Sequence, residues 1–272
     1  MHALWLGVVE GLTEFVPVSS TGHLILTGAW LGLDADPARK AAVDAFSIVI
    51  QAGAWLACIW YYAPMLLERL ADVRSSDRDR RQRGKGLFLA LAIAFVPVMA
   101  VGLVLRKQIK ALLFGPAPVA VMLAVGGVAM IAIDLWQRRR STTGRPLTEI
   151  DPRSAAIVGA FQCLALAPGT SRSMATLVGG LVAGLDRRAA ADFAFLLAIP
   201  VLGAATAYEL LKEWRVLIEG VGPVALTIGL LASFLTGWAS IAVFIRLLGS
   251  IGLWPFGVYR LIAAVVVWQT LL

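Results

Sequence analysis

Six apolar stretches organise the chain, at residues 43–63, 87–105, 116–136, 189–209, 221–245 and 253–271. Each is close to the run of about 20 residues that an α-helix needs to cross a bilayer core. Aromatic residues mark several ends, among them Trp60, Tyr61, Tyr62, Trp136 and Trp254, as suits a membrane–water boundary. Backbone in lipid must satisfy its own hydrogen bonds, and no segment alternates apolar and polar residues as a barrel strand would. The pattern predicts an all-α integral membrane protein with six transmembrane helices.

Two further apolar stretches are interrupted. Residues 3–33 are broken by Pro17-Val18-Ser19-Ser20-Thr21-Gly22, and residues 154–185 by Pro168-Gly169-Thr170-Ser171-Arg172-Ser173. Each reads as helix, polar turn, helix, with arms too short to cross. A re-entrant hairpin fits this pattern, since broken backbone at membrane depth is tolerated only in protein or beside a wet cavity; the alternative is a kinked spanning helix. The two stretches also resemble each other: Gly7, Glu10 and Leu12 stand at an offset of 152 from Gly159, Gln162 and Leu164, and the turns then align within a residue. One hairpin followed by three spans occurs twice, which reads as an internal duplication of about 1–136 and 154–272 within a single membrane domain, 1–272. An odd number of crossings per half makes the repeat inverted, with the hairpins entering from opposite faces and meeting near the midplane.

Charge fits this picture. Charged residues are only 15% of the chain against 59% hydrophobic, too few to cover a water-facing surface. The net charge of +7 does not point to nucleic acid, because the basic residues crowd between the apolar runs. Segments 64–86, 137–153, 186–188 and 246–252 carry 15 Lys and Arg, whereas 33–42, 106–115 and 210–220 carry 7. The positive-inside rule makes the first set cytoplasmic and the entrance to the first hairpin extracytoplasmic. Cys58 and Cys163 lie in apolar runs without Cys or His neighbours, so packing is their expected role. Residues 1–7 lack a basic stretch, and Glu10 and Glu14 interrupt the apolar run beyond them, so no cleavable signal is expected.

The chemistry concentrates in the broken stretches. Glu10 and Glu14 are four apart and share a face of the first arm, where they would share a proton or hold a divalent cation. Intramembrane carboxylates are costly and default to a functional reading, unless this arm is short enough for both to reach interfacial water. Ser19, Ser20, Thr21 and His23 come next, offering hydroxyls and backbone N–H groups to a phosphate and a candidate nucleophile. Arg172, flanked by Ser171 and Ser173, requires an anion: an oxyanion held by its planar fork, or a structural partner in Glu10 or Glu14.

The segments VVEGLTEFVPVSSTGHL, FQCLALAPGTSRS and PFGVYRL closely resemble signature segments of the undecaprenyl-diphosphate phosphatase family, also called bacitracin-resistance proteins. The resemblance runs nearly end to end. It implies removal of the terminal phosphate from undecaprenyl diphosphate with a divalent cation, Mg²⁺ or Ca²⁺, at the extracytoplasmic face of a bacterial inner membrane. It places the family's acidic pair on Glu10 and Glu14, its serine on Ser20, its histidine on His23 and its arginine on Arg172. One departure is Met174, where the family usually has glycine; a thioether there is expected to narrow the site or shift the second hairpin.

The expected reaction centre therefore has Glu14, Ser20, His23 and Arg172 as catalytic residues. Ser19, Thr21, Ser171, Ser173 and Arg172 would bind substrate, and Glu10 and Glu14 the cation. Its partners are a polyprenyl diphosphate lipid and membrane lipids, with no nucleic acid and a homodimer left open. Inverted repeats with broken helices are also the architecture of secondary transporters, so the alternative is a transporter or flippase for an anionic polyprenyl lipid.

Overall fold

The structure is a computed structural model that describes residues 1–33, 36–113, 115–139 and 144–272; within the connecting segments, 34–35, 114 and 140–143 lie outside the described residues. Among the described residues there are ten α-helices, one 3-10 turn at Leu147–Glu149 and no strand. In chain order the helices are α1 (His2–Glu14), α2 (Ser20–Trp30), α3 (Pro37–Val73), α4 (Arg78–Leu113), α5 (Pro116–Arg138), α6 (Pro152–Leu164), α7 (Arg172–Val182), α8 (Arg187–Gly220), α9 (Pro223–Ile251) and α10 (Trp254–Leu271).

The two interrupted stretches are both pairs of short helices. Each pair consists of a 13-residue helix, a turn and an 11-residue helix. At 1.5 Å per residue neither arm reaches the roughly 30 Å of a bilayer core. Five other helices, α3, α4, α5, α8 and α9, are long and apolar enough to cross. The sixth stretch predicted as a span forms α10, an 18-residue helix interrupted by Arg260, and it is not among those five. The long helices overrun the stretches read from hydropathy. α4, for example, runs from Arg78 through the span 87–105 to Leu113, because a helix satisfies its backbone equally well when it leaves lipid for water.

Lipid-facing and buried faces are distinct. α5 exposes Val121, Val125 and Val128, α9 exposes Leu231, Leu235 and Trp238, and α10 exposes Ile262, Val265 and Trp268. Apolar stripes at helical spacing of this kind suit acyl chains rather than water. The interior is packed around Phe15, Tyr62, Phe193, Phe195 and Phe244, with Phe15 edge-on to Phe195 at a centroid distance of 5.4 Å. Small residues bring the short helices close to their neighbours: Gly7 of α1 lies against Gly229 of α9, and Gly159 of α6 against Ala94 of α4. Tight approach through small residues is how helices associate where the hydrophobic effect supplies no drive. Both cysteines are free and satisfy backbone carbonyls, Cys58 at Phe195 and Cys163 at Gly159, in keeping with packing roles.

The arginine-rich segments share one end of the bundle, where aspartates hold them. Asp134 of α5, buried, accepts from Arg138 and Arg187 at 2.9 Å each and from the backbone N–H of Leu253 at 3.1 Å. Asp72 pairs with Arg69 at 2.9 Å and Arg80 at 2.8 Å. Asp151 caps α6 through the Ser154 N–H at 2.6 Å and meets Arg145 at 2.7 Å. The backbone hydrogen bond first and the guanidinium second bring the pKa of its carboxyl down to about 2. The Asp134 contacts tie α5, α8 and the start of α10 together.

Candidate active site

The two turns meet inside the protein. Glu14 ends α1, Ser20 begins α2 and Arg172 begins α7, so all three border a turn. Ser20 Oγ donates to Glu14 Oε2 at 2.6 Å, and Arg172 Nη2 donates to Glu14 Oε1 at 3.1 Å. Ser173 Oγ donates to the Val16 carbonyl at 3.1 Å, stitching the second hairpin to the first turn. Residues 158 apart in sequence are thus in direct contact.

The backbone at the helix starts is strained in the same way on both sides. Ser19 (φ 75°) and Ser171 (φ 71°) are the non-glycine residues of positive φ among the described residues, and they stand 152 apart at the N-caps of α2 and α7. A left-handed serine costs energy that the surroundings must hold in place, and such residues cluster where a ligand is gripped. Ser171 Oγ offsets part of that cost by accepting from Met174 N–H at 3.3 Å, and it lies 3.0 Å from Ser173 Oγ.

Between the turns lies a cavity of about 140 Å³ lined by Glu14, Ser19, Ser20, Thr21, Gln51, Pro168, Gly169, Ser171, Arg172 and Leu202, with Ala165 and Ala167. That is close to the ~150 Å³ that admits one benzene ring, room for a small polar group. Arg172 is nearly buried, with its Cζ 6.0 Å from the Phe15 ring centroid. Its Nε and Nη1 are buried without a protein partner, while Nη2 is spent on Glu14. Unmade charged hydrogen bonds at depth are expensive, and an oxyanion would satisfy both.

The predicted residues do not all reach this cavity. Glu14, Ser19, Ser20, Thr21, Ser171 and Arg172 line it; Ser173 is buried in the contact with Val16. Glu10 lies one helical turn from Glu14, 1% exposed, with Oε1 lacking a partner. His23 is tied elsewhere, its Nδ1 2.8 Å from the Ser19 carbonyl and its Nε2 2.6 Å from the Tyr259 hydroxyl, with the two rings stacked at 5.6 Å. Because a carbonyl only accepts, Nδ1 carries a proton. His23 therefore supports the strained Ser19 cap and is absent from the cavity lining.

Met174 does not narrow the site, the first of the two effects expected of it. It does not line the cavity; it is 6% exposed and belongs to the core with Leu177 and Val178. Its methyl fills a notch left by Gly126 on α5, where an added Cβ would lie 2.9 Å from Met174 Cε. Met174→Gly should accordingly destabilise the protein by about 3 kcal/mol through an unfilled core volume. A detergent melting curve should show the fall, with turnover of the folded fraction maintained.

For a divalent cation, the donor set is two carboxylates one turn apart, hard oxygen ligands with one buried oxygen unengaged. No group of three or more His, Cys, Asp or Glu is gathered among the described residues. Such a set fits an ion of the Mg²⁺ kind, which takes one or two carboxylates and completes its shell with water and substrate phosphate.

Three contributors escaped the sequence reading. Gln51 is an amide inside the apolar stretch 43–63 and reaches the cavity from α3. Tyr259 and Arg260 lie in α10, in the segment PFGVYRL. A signal for Arg260 existed: every Lys and Arg other than Arg172 and Arg260 falls outside the apolar stretches.

A multi-pass helical membrane protein with a small cavity of serines and a buried arginine between two short-helix turns is the class this fold and site define. The family described as Bacitracin resistance protein BacA matches residues 3–266, and the chain belongs to that family. It is similar to an undecaprenyl-diphosphatase of Sorangium cellulosum (strain So ce56), 49% identical over 269 residues, covering 98% of this chain and 85% of the relative. An undecaprenyl-diphosphatase of Burkholderia mallei (strain SAVP1) is 42% identical over 262 residues, covering 95% of this chain and 91% of that one. A Burkholderia pseudomallei (strain 1106a) protein named undecaprenyl-diphosphatase 2 matches to the same extent.

Proposed function

We infer that the chain is an undecaprenyl-diphosphate phosphatase whose reaction centre is the cavity between the two turns. It releases inorganic phosphate from undecaprenyl diphosphate and leaves undecaprenyl phosphate for cell-wall synthesis. The observation that carries this assignment of the site is the chain of contacts Ser20–Glu14–Arg172, with two buried guanidinium donors still free.

Each group in the cavity has a part in the chemistry. Arg172 Nε and Nη1 bind oxygens of the terminal phosphate, and the hydroxyls of Ser19, Thr21 and Ser171 on the cavity wall orient the group. Ser20 Oγ attacks the terminal phosphorus and its proton passes to Glu14 Oε2, already 2.6 Å away. The bond from phosphorus to the bridging oxygen breaks, and undecaprenyl phosphate leaves as an anion that takes up the proton. Water then attacks the phosphorus of the phosphoserine while Glu14 accepts its proton; the bond to Ser20 Oγ breaks, inorganic phosphate leaves, and Glu14 returns the proton to Ser20 Oγ. Glu10 and Glu14 would hold a divalent cation, Mg²⁺ or Ca²⁺, which supplies neutralisation of the diphosphate charge. His23 serves this scheme by fixing Ser19 beside the nucleophile.

We read the two sets of five helices as an inverted repeat of about 1–136 and 154–272, with six spans and two re-entrant hairpins. The lengths 13, 11, 37, 36 and 23, then 13, 11, 34, 29 and 18, support this reading. So does the matching of α1 on α9 with α6 on α4. The arginine-rich end is then cytoplasmic and the site is reached from the extracytoplasmic side of a bacterial inner membrane.

Purified protein in detergent, given undecaprenyl or farnesyl diphosphate with Mg²⁺ or Ca²⁺, should release inorganic phosphate, and chelation should stop the release. Lipid movement across vesicles without phosphate release would instead establish a flippase.

A further inference from the structure

Arg260 lies at the back of both turns. It is 0% exposed, the largest fully buried side chain among the described residues. Its Nη1 donates to the Pro17 carbonyl at 3.2 Å, in the first turn. Its Nη2 donates to the Gly169 carbonyl at 2.9 Å, in the second turn, and to the Met122 carbonyl at 3.0 Å, while Nε reaches that of Leu123 at 3.3 Å. One guanidinium therefore bridges both hairpins and α5. Gly169 itself lines the cavity, and Pro17 precedes the strained Ser19 by two residues.

Its partners are all neutral. Among the described residues Arg260 forms no ion pair, whereas Arg172 is paired with Glu14, and Arg69, Arg187, Arg145 and Arg188 of the arginine-rich end with Asp72, Asp134, Asp151 and Asp192. A buried cation without a counter-ion is costly, and the cost falls when an anion arrives nearby. Carbonyl oxygens directed into a phosphate site would repel the substrate; here the Pro17 and Gly169 oxygens are drawn to the guanidinium instead. The place is carved for it, since a Cβ at Gly126 would collide with Arg260 Nη2 and Cζ.

We propose that Arg260 is a positioning residue for the diphosphate site, locking the two turns in register and supplying, from behind them, the uncompensated positive charge that attracts the anion. The proposal rests on the phosphatase reading. Arg172 is the cation that touches the phosphate, and Arg260 acts through the turns.

The test compares Arg260→Met, Arg260→Lys and Gly126→Ala in the purified full-length protein, each checked for folding by gel filtration and melting. Binding of inorganic pyrophosphate is measured by calorimetry without turnover, and kcat and KM are measured separately. Arg260→Met should weaken pyrophosphate binding by about tenfold or more, the scale of one lost charge interaction, and lower kcat. Arg260→Lys should recover most of the affinity but not kcat, because an ammonium keeps the charge and cannot bridge four carbonyls. Gly126→Ala, which displaces the guanidinium without removing it, should lower kcat and covers the case in which Arg260→Met fails to fold. Wild-type affinity and kcat in folded Arg260→Met, or unaltered kcat in Gly126→Ala, would overturn the proposal and leave a purely structural tie. Failure of the unaltered protein to release phosphate would sink the phosphatase reading and is a distinct result.

Discussion

Ser20→Ala should lower phosphate release by at least about a thousandfold, since removal of a nucleophile typically costs that much or more while binding persists. The hydroxyl is the group that both lines the cavity and donates at 2.6 Å to a carboxylate able to take its proton. KM should move far less than kcat, because Arg172 and the other hydroxyls remain to hold the phosphate. Single-turnover phosphate release from farnesyl diphosphate checks this. Full activity in the variant would make water the direct nucleophile and leave the Ser20 hydroxyl without a part in turnover.

Arg172→Ala should be nearly as severe, by about a hundredfold to a thousandfold in kcat/KM, the range seen when one preorganised donor to a developing anion is lost. Two effects combine. The variant removes the two donors without a protein partner, which are proposed to hold the phosphate, and it strips Glu14 of its cationic neighbour, which raises the cost of a buried carboxylate. Arg172→Lys should recover only a small part of the rate, because a point charge cannot replace a fork that serves Glu14 and the oxyanion at once. The measurement is steady-state phosphate release at several substrate concentrations. A loss in Arg172→Ala confined to thermal stability, with the rate intact, would reduce the arginine to a partner for Glu14.

Much of this was legible in the sequence for physical reasons. Lipid forces long apolar helices, so the spans stood out; proline and glycine inside an apolar stretch cannot continue a helix, so both turns stood out too. Intramembrane charge needs a partner, and for Arg172 the sequence offered two, a structural carboxylate at Glu14 or Glu10 and a bound oxyanion. The structure shows the carboxylate partner, with one nitrogen on Glu14, and leaves the other two nitrogens without a protein partner. Hydropathy could not give the true helix lengths, because the charged ends of α4 stay helical in water.

The remaining pieces depend on three-dimensional direction, which spacing alone does not fix. His23 comes three residues after Ser20, yet its ring is committed to Ser19 and Tyr259. Met174 comes two after Arg172, yet it points into the core against Gly126. Arg260 was disguised by an apolar helix; its significance appears only when the carbonyls of two distant turns converge on it.

The central claim is that the two turns form one reaction centre. A double-mutant cycle with Glu14→Gln and Arg172→Lys, read as kcat/KM for phosphate release, tests it most directly. Two groups in one hydrogen-bonded site should be strongly coupled, so the double variant should be only slightly slower than the slower single variant, with a coupling of about 1–3 kcal/mol. Losses that simply multiply would mean that the carboxylate and the guanidinium act independently, and would contradict a shared site.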